Sequence, residues 1–213
     1  MADNDYSAFI QTLPDIVPNI GIHPCDFIFD NFTLIDGVIV ECGVYSGGSI
    51  TKLANRYPST KVYGFDSFEG LPESWGRPDL VYDKGAFNLN NRLPIVPSNV
   101  NLIAGWFDKT LPEFRETILG TTPIALLHID CDLYSSTKTT FDCLSANIHP
   151  GTIILFDELF NYPTYEKHEL LAFYQFINRT KMTYKWIGKN GAVDILATHD
   201  NGYVDQPAAV IIC

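Results

Sequence analysis

The chain has 213 residues, 46% hydrophobic and 18% charged, which suits one domain with a sizeable core and argues against a disordered chain. A formal net charge of −11 argues against nucleic acid or an anionic membrane as a partner. There is no signal-peptide pattern, and no apolar run nears the ~20 residues that span a bilayer. The five cysteines form no Cys-x-x-Cys pair, so the expected setting is a reducing cytoplasm.

Residues 1–36 show no clear period. Asp26–Phe32 can form one or two helical turns with Phe27, Ile28 and Phe32 inward, and Pro14, Pro18 and Pro24 break anything longer. This stretch is expected to cap one edge of a domain spanning 37–213, the alternative role being a homo-oligomer contact. Val38-Ile39-Val40-Glu41 reads as a buried parallel strand. A loop with glycines at 43, 47 and 48 follows, and Ser49–Tyr57 reads as a helix with Ile50, Leu53 and Ala54 on one face. Lys61–Asp66 is a second strand and Ser67–Glu73 a turn. Residues 74–98 are rich in turn formers, and a loop of that length is usually functional or mobile. Trp75, Tyr82 and Phe87 make it a candidate lid over a small-molecule site. Strand Val100–Ala104, helix Leu111–Leu119 and strand Ile124–Asp130 come next. Helix Thr137–Asn147, capped by Ser135 or Ser136, precedes strand Thr152–Phe156 and helix Glu166–Thr180. Tyr184–Ile187, Val193–Ala197 and Ala208–Ile212 supply more strand. The alternation predicts an α/β fold with a mainly parallel sheet, an antiparallel edge and helices on both faces.

Strands one, two, four and five end on or beside acids: Glu41, Asp66, Asp130 and the pair Asp157-Glu158. Carboxyl ends of strands line the crevice of an open α/β sheet, so these acids share one rim. Strand, glycine loop and helix together let a ligand lie against bare backbone at a helix N-terminus. The spacing Glu-x-Gly-x-x-x-Gly-Gly differs from the Gly-x-Gly-x-x-Gly of dinucleotide sites. An acid ahead of the glycines repels a pyrophosphate but suits an ammonium, such as the methionine end of S-adenosylmethionine. Glu41 is therefore expected to hold that amino group. Gly43 to Gly47, with Tyr45 and Ser46 between, take the carboxylate side, where Ser49 opens the helix. Asp66 lies eighteen residues past Gly48, where doubly wound folds place the acid that receives ribose hydroxyls, and Ser67 stands beside it. Gly105, Trp106 and Phe107 are expected to flank the adenine.

Burying the remaining acids together requires a cation or hydrogen-bond donors. Asp130, Asp157 and Glu158, as three oxygen donors, describe a site for Mg²⁺ or a similar hard cation. Asp132 can substitute for any of them, and plain helix capping is the alternative for one or two. Asp130, beside the cofactor, is also the first candidate base, and Asp132 the second.

Six segments carry a resemblance: Glu41–Ser49, Gly64–Glu73, Lys84–Phe87, Gly105–Pro112, His128–Thr137 and Phe156–Glu158. Together they resemble the macrocin O-methyltransferase (TylF-like) family of class I S-adenosylmethionine-dependent enzymes. The resemblance implies a seven-stranded methyltransferase fold and methylation of a hydroxyl, usually on a sugar of a glycosylated natural product. It also implies a divalent metal on Asp130, Asp157 and Glu158. Glu158 stands where an Asp is frequent in the family, and residues 1–36 are short for a full macrolide-enclosing cap.

The residues raise two rival functions. Tyr134 and Lys138 match the Tyr-x-x-x-Lys pair of nicotinamide-dependent short-chain dehydrogenases, but Tyr134 is expected in the loop before the capping serines, off the lysine's helical face. A catalytically inactive cofactor-binding domain is the second rival, and intact acids at both positions speak against it. His23, His149, His168 and His199 show no partner pattern, and His128 is expected in a core or supporting role.

Overall fold

A computed structural model describes residues 2–76, 81–190, 198–199, 202–203 and 206–213. Two helices, α1 (Ala2–Ile16) and α2 (Pro24–Asn31), precede strand β1 (Val38–Cys42) and helix α3 (Gly48–Arg56). Then come β2 (Val62–Asp66), β3 (Val100–Ala104), α4 (Phe107–Phe114), β4 (Ile124–Ile129) and α5 (Tyr134–Leu144). Strand β5 (Ile153–Phe160), α6 (Glu169–Thr180), β6 (Tyr184–Lys189) and β7 (Gln206–Ile212) complete the domain. The seven strands lie in the order β3-β2-β1-β4-β5-β7-β6. The first five pair in parallel, and β7 runs antiparallel between β5 and β6. From β1 the chain winds outward one way through β2 and β3, then returns to β4 and winds the other way. The order therefore switches between β1 and β4, which is where open α/β sheets hold their ligands.

Period-two alternation divides the buried strand residues between two layers. Val40, Cys42, Leu127, Ile129, Ile154 and Phe156 face α4, α5 and α6, where Phe141 stacks on Phe176 at 4.4 Å. Ile39, Leu126, Ile153 and Leu155 face α2 and α3 through Ile28, Ile50 and Leu53. Burial on both faces is why β1, β4 and β5 read as near-continuous apolar runs.

Several elements differ from expectation. Helix α1 was not anticipated, yet Leu13 and Val17 reach the core, and Tyr6 and Phe9 pack against Tyr174 on α6. Pro14 lies in its last turn and forgoes one i→i−4 bond there, and the helix ends two residues later. Helix α4 starts at Phe107 and continues into a wide turn at Arg115–Leu119. Helix α5 starts at Tyr134, not Thr137: extended Leu133 occupies the cap position and no side chain caps it, while the Ser135 hydroxyl donates to Glu73 instead. Strand β5 runs through its acids to Phe160 because β7 pairs with it that far. Trp75–Gly76 and Val81–Tyr82 form a small antiparallel pair, with Trp75 buried against Tyr82. The expected strand at Val193–Ala197 lies outside the described residues. No helix of the described residues is long and apolar enough to cross a membrane.

Candidate functional site

The site begins where the loops after β1 and β4 cross. Gly43 has φ +93°, and a Cβ there would stand 1.6 Å from the Asp130 carbonyl oxygen, so only glycine permits the crossing. The Asp130 N–H donates to the Cys42 carbonyl at 2.9 Å, and the Gly43 N–H to Phe65 at 2.9 Å, which locks the three strand ends together. Gly47, also left-handed at φ +84°, precedes α3 with no side chain capping the helix. The first amides of α3 are thus left for a ligand, at the positive end of the helix dipole.

Asp66, at the end of β2, latches this loop. Its Oδ2 accepts from the Val44 and Tyr45 N–H groups at 2.9 and 2.8 Å, and its Oδ1 from Phe68 N–H at 2.7 Å. A carboxylate offers about four acceptor positions, which leaves Oδ1 room for one further donor such as a ribose hydroxyl. Above the latch opens a cavity of about 470 Å³, within the roughly 300–1,000 Å³ range of sites for drug-sized ligands.

Of the residues expected to bind cofactor, Gly43, Tyr45, Ser46, Ser49, Asp66, Ser67, Trp106, Phe107 and Asp130 line this cavity. Glu41, Gly47 and Gly105 do not. Gly47 and Gly105 act through their backbone turns, the latter donating its N–H to the Asp66 carbonyl at 2.9 Å. Glu41 is fully buried beneath the floor, and its oxygens are engaged by the Ser49 hydroxyl at 3.0 Å and His128 Nδ1 at 2.8 Å. Sequence reasoning missed the far wall, made by Gly70, Leu71 and Pro72 with Ser135, Ser136 and Thr139. The last three repeat at helical spacing on a face without large apolar residues, a signal that was present in the sequence. Phe87 reaches the cavity and packs on Tyr45, whereas Trp75 of the same expected lid is buried away from it against Tyr162.

The acids separate by strand face. Parallel pairing sets Glu41 beside His128 and Ile129 beside Phe156; one residue further, Asp130 stands beside Asp157. A ring nitrogen of His128 and one oxygen each of Asp130 and Asp157 lie within 4.8 Å of one another. Glu158 follows Asp157 where the pairing of β5 with β7 shifts register; it lines the cavity with Asp130 and Asp132 and feels the charges of Asp132, Asp157, Asp130 and buried Glu169. The structure thus gathers His128 with Asp130 and Asp157 of the expected metal set, and places Glu158 with Asp130 on the cavity wall.

Burial and then the Asp157 charge push the Asp130 carboxyl well above the usual range, against the opposing pull of His128. Burial, then Asp132, does the same to Glu158, and burial with Asp132 to Glu169. Burial alone would lower His128, but the Glu41 hydrogen bond and charge outweigh it and raise the imidazole to about 9. Asp132 is buried and lines the cavity, with its backbone at φ +63°, a left-handed conformation that strains most residues.

Tyr134 does not lie in the expected loop off the lysine's helical face. Because α5 starts at Tyr134, Tyr134 and Lys138 do share a helical face. Their side chains are committed elsewhere, Tyr134 to Gln175 at 2.7 Å and Lys138 to Asp142, and neither lines the cavity.

Residues 30–187 match the family described as Macrocin-O-methyltransferase (TylF). The 8-demethyl-8-(2,3-dimethoxy-alpha-L-rhamnosyl)-tetracenomycin-C 4'-O-methyltransferase of Streptomyces olivaceus is 29% identical over 148 residues, covering 59% of this chain and 55% of that protein. The demethyldecarbamoylnovobiocin O-methyltransferase of Streptomyces niveus is 28% identical over 185 residues, 75% of this chain and 66% of that one. The chain therefore spans between about half and two-thirds of these relatives' lengths. Among solved structures, the calicheamicin methyltransferase CalS11 superimposes with a TM-score of 0.60 at 22% identity, covering 88% of this chain and 75% of CalS11, a likeness of fold. With the family match covering residues 30–187, a range that holds the switch point and every acid of the rim, the chain belongs to the macrocin O-methyltransferase (TylF) family.

Proposed function

We propose that this chain is an S-adenosylmethionine-dependent O-methyltransferase that methylates a hydroxyl of a sugar or sugar-bearing small molecule. The observation that carries the reading is the cavity at the β1–β4 switch point, with an uncapped helix N-terminus on one side and acids on the other. The amides opening α3 would receive the methionine carboxylate, and the spare position on Asp66 a ribose hydroxyl. Trp106 and Phe107 offer apolar surface for the adenine. Glu41, engaged under the floor, supports the ligand loop through Ser49 and leaves the ammonium to backbone carbonyls. The S. olivaceus relative is named for the 4'-O position of a rhamnosyl group, which favours a sugar hydroxyl as acceptor here.

S-Adenosylmethionine supplies a methyl group on a sulfonium, and its transfer to oxygen is an in-line displacement that rewards positioning. The C–S bond breaks as the C–O bond forms, sulfur keeps the electron pair, and the hydroxyl proton goes to a base. Asp132 and Asp130, both on the cavity, are the carboxylates placed to receive that proton. Tyr45 and Phe87 form an aromatic wall that can close the mouth and exclude water; we take the 74–98 segment as its lid. A divalent cation, when bound, would orient neighbouring hydroxyls and make the attacking one more acidic, and Asp130, Asp157 and Glu158 are the carboxylates that would hold it.

Calorimetry with S-adenosylhomocysteine and NAD, followed by transfer of a labelled methyl group to a panel of glycosides with and without EDTA, tests the proposal. Binding of S-adenosylhomocysteine and a labelled glycoside are the expected results. Binding of NAD with no response to millimolar S-adenosylhomocysteine would overturn it.

A further inference from the structure

We infer that Tyr45 and Phe87 are the residues of this site that read the acceptor. Their rings form a fixed platform on which the acceptor's aglycone stacks, so a sugar bearing a planar apolar aglycone is preferred over a bare or nucleotide-linked sugar. The inference rests on the reading of the chain as a sugar O-methyltransferase and adds what the acceptor carries beyond its sugar and which side chains select it.

The two rings meet edge to face at 5.6 Å, and both residues line the cavity. Tyr45 is 47% exposed and Phe87 37%, so much of each is left for a ligand to cover. Both stand on left-handed backbone, at φ +45° and +66°. Bulky side chains rarely adopt that conformation, and such strain gathers where ligands are clamped. Hydrogen bonds hold it in place. The Tyr45 N–H donates to Asp66 Oδ2 at 2.8 Å. On either side of Phe87, the Ala86 carbonyl accepts from Leu71 N–H at 2.9 Å and the Leu89 N–H donates to the Phe68 carbonyl at 3.2 Å. Behind Phe87 lies Tyr82 at 4.9 Å, itself stacked on buried Trp75 at 5.5 Å, which roots the platform in the core. A platform built in advance loses little freedom when a ligand lands on it.

Strand order gives this platform to the acceptor and not to the adenine. Tyr45 follows β1, whose neighbour β4 leads into Asp130 and Asp132, whereas Trp106 and Phe107 follow β3, beyond β2 on the other side. A sugar whose hydroxyl reaches Asp130 or Asp132 thus leaves its substituent toward the mouth, where the two rings stand. Outside them a groove over Leu89, Leu93 and Pro94 joins the cavity through the shared Ser46, and Leu93 and Ile95 are 52% and 99% exposed. Such surface suits an apolar ring system stacked offset or edge to face. Asp66, Asp108, Asp130, Asp132 and Glu158 line the cavity with no Lys or Arg among its described lining, a field that repels a diphosphate. Arg92 lines the groove, so a nucleotide-linked sugar is the competing acceptor.

The test follows transfer of a labelled methyl group to matched 2-naphthyl and methyl glycosides of the same sugars, and to the nucleoside-diphosphate forms of those sugars. In the wild type, kcat/KM for a naphthyl glycoside should exceed that for its methyl or nucleotide-linked counterpart by about tenfold or more. Phe87→Leu and Tyr45→Leu should each bring that ratio below threefold through KM, while Tyr45→Phe keeps it. Affinity of Phe87→Leu for S-adenosylhomocysteine should stay within threefold of wild type. The wild-type ratio and the Tyr45 variants decide the matter if Phe87→Leu fails to fold. A wild-type ratio below threefold, preference for the nucleotide-linked sugar, or a naphthyl advantage that survives both leucine variants overturns the inference. So does a tenfold fall in S-adenosylhomocysteine affinity in Phe87→Leu, which would give that ring to the cofactor. Labelling of no glycoside while the wild type binds S-adenosylhomocysteine overturns the platform and leaves cofactor use standing, whereas absence of that binding overturns the underlying reading itself.

Discussion

The buried Glu41–His128 pair makes the stability of the metal-free protein depend on pH in a defined window. Folding raises the imidazole from its ordinary 6.5 to about 9. The folded protein therefore keeps a proton that the unfolded chain releases. Stability from this proton is complete below pH 6.5 and lost as pH rises through about 9. The difference of about 2.5 units, at 1.36 kcal/mol each, amounts to about 3 kcal/mol. Solvent screening removes little of this, since neither side chain is more than 3% exposed. Glu41→Gln keeps the shape and a hydrogen-bond acceptor but removes the charge that holds the proton. The raised carboxyls of Asp130, Glu158 and Glu169 also lower stability as pH climbs above the usual carboxylate range. That contribution is shared by both proteins and largely cancels in their difference. Urea denaturation in EDTA, from pH 6 to 10, should show the wild type losing about 3 kcal/mol more than Glu41→Gln across the window. Parallel curves, or an imidazole that titrates near 6.5 by NMR, would refute the reasoning.

Asp66→Ala removes the acceptor of three backbone N–H groups and unlatches the glycine loop. Each such charged hydrogen bond is worth about 1.5–3 kcal/mol, so calorimetric affinity for S-adenosylhomocysteine should fall at least tenfold, and a value within threefold of wild type would count against the latch. Gly43→Ala forces a Cβ to 1.6 Å from the Asp130 oxygen at φ +93°. It should lower the melting temperature by about 10 °C or more, or leave the protein insoluble, and an unchanged melting temperature would count against the close crossing. Asp132→Asn is tolerated by the left-handed backbone, because asparagine visits that region readily. Methyl transfer should drop at least about a hundredfold while S-adenosylhomocysteine affinity holds; retained turnover would pass the role of base to Asp130.

Much of this protein is determined locally and was legible in the residues alone. Val38–Val40, Ile124–Ile129 and Ile153–Phe156 are apolar and rich in β-branched residues because strands buried on both faces need them, and their spacing by helices specifies a parallel sheet. The glycines at 43 and 47 and the acids ending the strands marked one rim as the site before any contact was known. What the tertiary structure decided was which of those groups meet. Parallel register sets His128 beside Glu41, so an acid expected at the ligand is spent beneath it. Pairing of β5 with β7 reaches Phe160 through a register shift opposite Asp157–Leu159, and Glu158, not Asp157, ends up lining the cavity. Leu133, rather than either serine, occupies the start of α5, which turns Ser135 and Ser136 toward the cavity. Periodicity and turn chemistry act over a few residues and are written in the local sequence, whereas register and facing depend on partners far along the chain, and only the assembled sheet selects them.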